Sequence, residues 1–273
     1  MADPSADPIE TRLRLLTWNV WWRFGPWEAR QPAISATLRR LAPDVIALQE
    51  TWEEAPGSGQ PHRLASELGY EVVFGEGFRV GDHSFGNAVL SRWPITESEV
   101  HRLPATETTN ELRNVLKAVI DGPRGPFEVY TTHLNWRFEQ SAIRQEQVRA
   151  ICEVVASSTE RSYPPILVGD FNADPLADEI RMLTGRSATP VDGLVFHDAW
   201  DVAGAGECDT WDNANLFARG DLEPSRRIDY VFVGWPYAAR GGGHPLLARV
   251  EGTTPVDGCV GSDHWAVYAE LRY

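Results

Sequence analysis

The sequence of 273 residues lacks several features that would place it in large and familiar classes. It has no run approaching the ~18 consecutive apolar residues that a membrane helix needs, so no span is expected. Its first residues, MADPSADPIETR, contain neither the basic nor the apolar region of a secretory signal. Cysteine is scarce: Cys152, Cys208 and Cys259 are odd in number and far apart, which argues against a disulfide framework and against a thiolate metal site. These absences read as a cytoplasmic protein with buried or incidental thiols. Positive charge is also short, with 25 Lys and Arg against 39 Asp and Glu, a formal balance of −14. Phosphate contacts from Lys and Arg supply most non-specific affinity for duplex nucleic acid, so long DNA is disfavoured as a partner while shorter nucleic acid stays open as a substrate. Neither a repeat of fixed period nor a long Pro, Ser or Gly tract divides the chain. The expectation is an N-terminal tail over residues 1–11 and one monomeric domain over 12–273.

What is present is an ordinary globular composition, 42% hydrophobic and 23% charged, with many short apolar runs. Rich in β-branched residues and bounded by Gly, Pro or Asp, these runs predict strands at Leu13–Trp18, Val45–Leu48, Tyr70–Phe74, Asn87–Ser91, Val115–Ile120, Phe127–Thr132, Ile166–Val168, Tyr230–Val233 and Trp265–Leu271. Between them, Ala33, Ile34, Thr37, Leu38 and Leu41 fit one helix face that Pro43 ends, and Ile143, Gln147, Val148, Ile151, Cys152 and Val155 fit another. Short helices are expected near Pro61 and Pro175, because proline is tolerated in a first turn. Residues 52–62, 75–83 and 183–196 read as surface loops. The fold class that follows is α/β, two sheets face to face with helices outside.

Six polar clusters stand immediately after or before an apolar run, where strands meet loops: Trp18-Asn19, Gln49-Glu50-Thr51, His133-Leu134-Asn135, Asp170-Phe171-Asn172, Arg227-Ile228-Asp229 and Ser262-Asp263-His264. Strand ends on a rigid scaffold can aim side chains at one mouth. Any one cluster alone reads as a turn or cap, since Asx side chains bond local backbone readily. Six of complementary chemistry in one chain read as a site. A phosphodiester repels nucleophiles, and a hard divalent cation on oxygen ligands offsets its charge. Glu50 and Asp263 suit Mg²⁺. His264 is a candidate base if Asp229 fixes its tautomer. Asp170 and Asn172 can address one water or phosphate oxygen, and His133 is a second histidine for a phosphate oxygen or a leaving group.

The segments TWNVWW, LQET, GNAVLSRWPI, THLNW, GDFNADP, RIDYVFV and SDHWAVYAEL, in this order from residue 17 onward, resemble the endonuclease/exonuclease/phosphatase superfamily of metal-dependent phosphoesterases. The resemblance implies a four-layer α/β sandwich of two mainly antiparallel sheets with the site at their edges. It implies a first-strand amide at Asn19 and metal ligands at Glu50, Asp263 and Asp170, holding Mg²⁺ or Mn²⁺. It further implies a catalytic group of His133, Asp170, Asn172, Asp229 and His264, in which either His264 or Asp170 is the base; His264 paired to Asp229 is the first choice. Substrate contacts are assigned to Asn19, Asn87, Arg113 and Asn135, where Arg113 reads equally as a surface ion pair and Asn87 equally as a buried amide satisfying backbone; Trp21, Trp22, Trp136 and Trp265 read as a rim for a base or sugar or, for most of them, as core or loop packing. Three readings follow: a phosphoesterase acting on a small or lipid-derived ester, a nuclease or DNA-end-processing enzyme acting on short or single-stranded ends, and a silent binding module on the same fold. Acidity favours the first, and the filled catalytic positions argue against the third.

Overall fold

The computed structural model describes residues 10–105, 111–159 and 162–273; residues 1–9 of the expected tail lie outside them. Two six-stranded sheets make up the middle of the molecule. The first runs in the order β11 (Pro245–Glu251), β12 (Ala266–Arg272), β1 (Arg12–Asn19), β2 (Val45–Thr51), β4 (His83–Ser91), β3 (Glu71–Val80). The second runs β5 (Ile95–Arg102), β6 (Asn114–Gly122), β7 (Gly125–His133), β8 (Ile166–Asp170), β10 (Asp229–Trp235), β9 (Val195–Asp198). Each sheet contains one parallel pair, β1 with β2 and β7 with β8, and is otherwise antiparallel. A parallel pair needs a crossover. Helix α1 (Trp27–Leu41) supplies the first and α3 (Ser141–Ser157) the second.

Period-two alternation sorts each strand between two layers. Leu13 and Leu15 of β1 face inward with Val45, Ala47 and Val89, where they meet Leu116, Ala118, Val129, Val168 and Val231 of the opposite sheet. Leu16 and Trp18 face outward onto Ile34 and Leu38 of α1 and onto Leu64 of α2 (Gln60–Leu68). On the other side Tyr130, Leu167 and Phe232 receive Val148, Ile151 and Val155 of α3 and Ile180 of α4 (Asp178–Leu183). The result is a helix, sheet, sheet, helix sandwich, with each fully buried aliphatic contributing about 1.5–3 kcal/mol by leaving water. No helix among the described residues is long and apolar enough to cross a membrane.

Nine of the twelve strands among the described residues coincide with the sequence expectation, and the three it omits share a cause. β5, β9 and β11 each lie at the edge of a sheet. An edge strand is wet on one side and often charged, and β5 reads ITESEVHR, which carries little apolar signal. Residues 75–83 are not a surface loop: β3 continues to Val80, turns at Gly81 and pairs back along β4 from His83. Likewise Pro175 precedes α4, which begins only at Asp178.

Candidate active site

The parallel pairs end at the same edge of the sandwich. Asn19 closes β1 opposite Gln49 of β2, His133 closes β7 opposite Asp170 of β8, and Asp229 opens β10 opposite the same Asp170. Ser262, Asp263 and His264 arrive just before β12, the strand beside β1. Trp18, fully buried, donates its indole N–H to the His264 carbonyl at 2.9 Å, and the Ser262 hydroxyl donates to the Asn19 carbonyl at 2.6 Å. Local backbone at these strand ends is strained. Glu50 (φ 53°) and Asn172 (φ 50°) occupy the left-handed region, as do Trp21 and Trp22, and such conformations persist only where the surroundings over-determine them. Two glycines are dictated by close approach. A Cβ on Gly169 (φ 140°) would stand 2.0 Å from the Thr132 carbonyl oxygen, and one on Gly261 would stand 2.5 Å from the Trp18 ring.

The structure brings nine of the eleven expected site residues together. Asn19 Nδ2 donates to Glu50 Oε1 (3.1 Å) and to Asp170 Oδ2 (3.0 Å), so one amide spans two carboxylates. The Asn172 backbone N–H donates to Asp170 Oδ1 at 2.9 Å, while its side-chain amide donates to the Leu134 carbonyl at 3.1 Å. His264 Nδ1 pairs with Asp229 Oδ2 at 2.9 Å and its Nε2 lies 3.7 Å from Asp170 Oδ2. His133 Nε2 lies 3.4 Å from the same Asp170 oxygen, and Arg113 Nη1 donates to His133 Nδ1 at 2.9 Å. An arginine has no lone pair to offer, so Nδ1 is the acceptor and the proton of a neutral His133 sits on Nε2.

Burial and crowding of like charge set the electrostatics. Burial, then the neighbouring Asp263 charge, push Glu50 up to about 7. Burial and Asp229 raise Asp170 to about 6, and burial raises Asp263 to about 6. For His264 burial works against the imidazolium, but the charges of Asp229, Asp170 and Asp263 outweigh it and hold the ring protonated up to about 10. His133 goes the other way, lowered well below its ordinary value by burial and by the Arg113 and His264 charges.

These positions also fit a cation. Glu50 Oε2 and Asp229 Oδ1 are buried and accept no hydrogen bond from the described residues, a costly state for a carboxylate oxygen. Ligand atoms of Asp170, Asp229 and His264 lie within 4.8 Å of one another, but the His264 ring is engaged by both carboxylates and behaves as a cation itself. The all-oxygen set of Glu50 and Asp263, in which each burial penalty is largest for the charged form, suits a hard divalent ion better.

Two expected contacts fall elsewhere. Asn87 is buried and donates to Asn114 Oδ1 at 2.9 Å, and Asn135 is buried between Gln140 and Gln147, accepting from Gln147 Nε2 at 2.6 Å. Both amides satisfy other amides and neither lines the cavity above the site. That cavity, about 600 Å³, has walls of Trp21, Phe24, Phe78, Phe85, Trp136 and Trp211 over the polar floor. Trp22 instead donates its indole N–H to the Ser84 carbonyl at 3.0 Å, and Trp265 donates to Asp212 Oδ2 at 3.3 Å in a separate hollow.

Sequence reasoning missed Arg30, which is fully buried and donates to the carbonyls of Val20, Trp21, Trp22, Phe24 and Gly261. It clasps the loop after β1 to the loop before Asp263. Arg226 and Trp211 were missed as well; both line the cavity, and the Trp211 ring meets His264 edge-on at 5.0 Å. Carbonyl-binding and edge contacts leave no motif, and only an arginine on the otherwise apolar face of α1 hints at the first.

Comparison with known proteins gives concordant relatives. The sequence profile of the Endonuclease/Exonuclease/phosphatase family matches residues 16–264. An inositol phosphosphingolipids phospholipase C from Schizosaccharomyces pombe is 24% identical over 95% of this chain and 68% of its own length. Tyrosyl-DNA phosphodiesterase 2 from Rattus norvegicus is 26% identical over 98% of this chain and 70% of its own. Among solved structures, D. rerio TDP2 complexed with single strand DNA product superposes with a TM-score of 0.74 at 24% identity, covering 97% of this chain and all (100%) of that one, which is a likeness of fold.

Proposed function

The chain belongs to the endonuclease/exonuclease/phosphatase family, whose members are hydrolytic phosphoesterases, and from that premise we propose that it hydrolyses a phosphodiester or phosphomonoester by attack of water, with Mg²⁺ as cofactor and Mn²⁺ able to replace it. One observation carries the reading: Asp170 stands at the centre of a network in which Asn19 ties it to Glu50 and both histidines turn Nε2 towards it. Glu50 and Asp263 would hold the divalent ion, which would draw negative charge off a phosphate oxygen as the transition state forms.

The remaining steps belong to the chain's own groups. Asp170, its Oδ1 fixed by the Asn172 N–H, takes a proton from water as the oxygen attacks phosphorus, and a carboxylate near 6 is well placed for that at neutral pH. His264 enters the reaction already protonated, so its role is to hold a phosphate oxygen from Nε2 and then to give that proton to the leaving oxygen as the P–O bond breaks. Asp229 aims the ring and keeps it cationic. This assignment puts Asp170, rather than the initially preferred His264, in the role of base. His133, neutral and with Nε2 bearing its proton, donates to another phosphate oxygen, and Arg113 maintains that tautomer.

Within this chemistry a small or lipid-derived ester is favoured, because the two arginines lining the cavity are already paired to carboxylates, Arg113 to Glu111 and Arg226 to Glu223. A nuclease acting on short or single-stranded ends is the second reading. The aromatic walls support it, since every base has a face to stack. Hydrolysis of bis-p-nitrophenyl phosphate is expected with Mg²⁺ or Mn²⁺ and abolished by EDTA, and equal rates with and without metal would refute the mechanism. A panel of sphingomyelin, inositol phosphates and a 5′-modified oligonucleotide under one metal condition then ranks the substrate classes.

A further inference from the structure

Eleven large hydrophobic side chains are exposed among the described residues, and six of them line one opening or lie beside residues that do. Phe24 and Trp136 line the cavity mouth directly. Leu112 lies between the lining residues Glu111 and Arg113, and Leu222 between Asp221 and Glu223. Phe138 sits under the lining Arg226, 4.3 Å from its guanidinium, and Leu216 adjoins Phe217, whose ring is 5.2 Å from Trp21. These six come from five separate segments of the chain, so no single sequence run accounts for them. Exposed apolar residues are ordinary when scattered, but their concentration on one rim calls for a reason.

Leu222 makes the point most sharply. It is 88% exposed and sits at φ 57°, in the left-handed region, while Leu216 is 71% exposed. A branched side chain pays a steric cost there that glycine or asparagine would avoid. The fold therefore holds a leucine in an unfavourable backbone state with its side chain in water, and gains no packing from it. The charge around the rim narrows what can cover it. Both arginines of the mouth are paired to Glu111 and Glu223, Asp221 adds a further acid, and the whole chain stands at −14. An anionic membrane or a nucleic-acid backbone would be repelled by such a surface.

We infer that this apolar rim docks the protein on an electroneutral lipid surface, so that the cavity receives a phosphoester carried by a neutral or zwitterionic lipid. The inference rests on the phosphoesterase reading above and names its substrate class. Side chains of leucine, phenylalanine and tryptophan enter the boundary between headgroups and acyl chains, as they do in other proteins that lie on a membrane without spanning it. The rim then encloses the headgroup, and the aromatic walls separate the reacting phosphate from bulk water.

The test is sedimentation of the full chain with phosphatidylcholine vesicles and with vesicles of phosphatidylcholine and phosphatidylserine. Partition onto phosphatidylcholine is expected, with less on the anionic vesicles. The double variant Leu216→Asp, Leu222→Asp should lose at least about tenfold in partition while melting at the wild-type temperature, since both side chains are solvent-exposed. Val202→Asp, on the exposed face of α5 (Ala199–Ala203), adds charge away from the mouth and should partition as wild type. The inference is overturned by absent partition onto phosphatidylcholine, by preference for phosphatidylserine vesicles or for a single-stranded oligonucleotide, or by an equal loss in Val202→Asp. Sedimentation needs no turnover and hydrolysis of bis-p-nitrophenyl phosphate needs no vesicle, so failure of docking and failure of the enzymatic reading are separately visible.

Discussion

Replacing Asp229 by Asn separates the two roles open to His264. Asparagine keeps an oxygen for the Nδ1–H at the 2.9 Å contact and removes only the charge. His264 is held from 6.5 up to about 10, a displacement equivalent to about 5 kcal/mol. A pair of unit charges at that spacing interacts by about 6 kcal/mol at an effective dielectric near 20, so Asp229 alone is large enough to dominate. Without it, burial pulls the imidazolium down, opposed by Asp170 and Asp263. For the wild type, kcat/KM should rise on the acid side as Asp170 ionises and fall on the alkaline side as His264 loses a proton that, before any cation binds, is held up to about 10. In Asp229→Asn the alkaline limb should move down by about 2 pH units or more, which at pH 9 leaves roughly a tenth of the protonated enzyme. The assay is the pH profile of bis-p-nitrophenyl phosphate hydrolysis at saturating metal, with His264 followed in parallel by NMR titration. An alkaline limb that stays in place would refute the cationic role. A wild-type rate that climbs through pH 10 would make His264 the base.

Asp170→Asn should lower the rate by at least about a hundredfold without changing the fold, because general-base groups contribute on the order of 10²–10⁴; near-normal turnover would remove Asp170 from the reaction. Arg30→Met strips five carbonyls of their donor, and urea unfolding should show a loss of about 3–5 kcal/mol, whereas a loss under 1 kcal/mol would mean that water or backbone shifts replace it. Gly169→Ala places a methyl group 2.0 Å from the Thr132 oxygen, so β7 and β8 must separate. Its melting temperature should fall by several degrees or more, and an unchanged value would show the approach to be yielding.

The parts of the molecule legible in the sequence are those whose signal is local. Strands β1, β2, β6, β7, β8, β10 and β12 are buried on two faces and announce themselves as apolar runs. The ends of those strands expose Asn19, Glu50, His133, Asp170, Asp229 and His264 as polar punctuation, so the site could be assembled from motifs. What was not legible depends on partners distant in sequence. Asn87 and Asn135 look like binding amides until Asn114 and Gln147 are seen to occupy them. Arg30 looks like a helix-surface charge until residue 261 comes within reach. The charge of His264 was equally hidden, because it depends on the spatial arrangement of Asp229, Asp170 and Asp263 around the ring.

The stitching of residues 18–30 to residues 261–264 has a consequence for biosynthesis. β12 lies between β11 and β1, so the first sheet stays open, Arg30 lacks the last of its five carbonyls and the Asn19 carbonyl lacks the Ser262 hydroxyl, until residues 261–272 have been translated. Closing a pairing between strands some 250 residues apart is slow because the loop entropy must be overcome before the contacts form. A partly made or C-terminally clipped chain would carry the Glu50 and Asp170 motifs yet present no assembled centre. The proposed centre is thus completed late in the making of each molecule, by the same step that completes its framework.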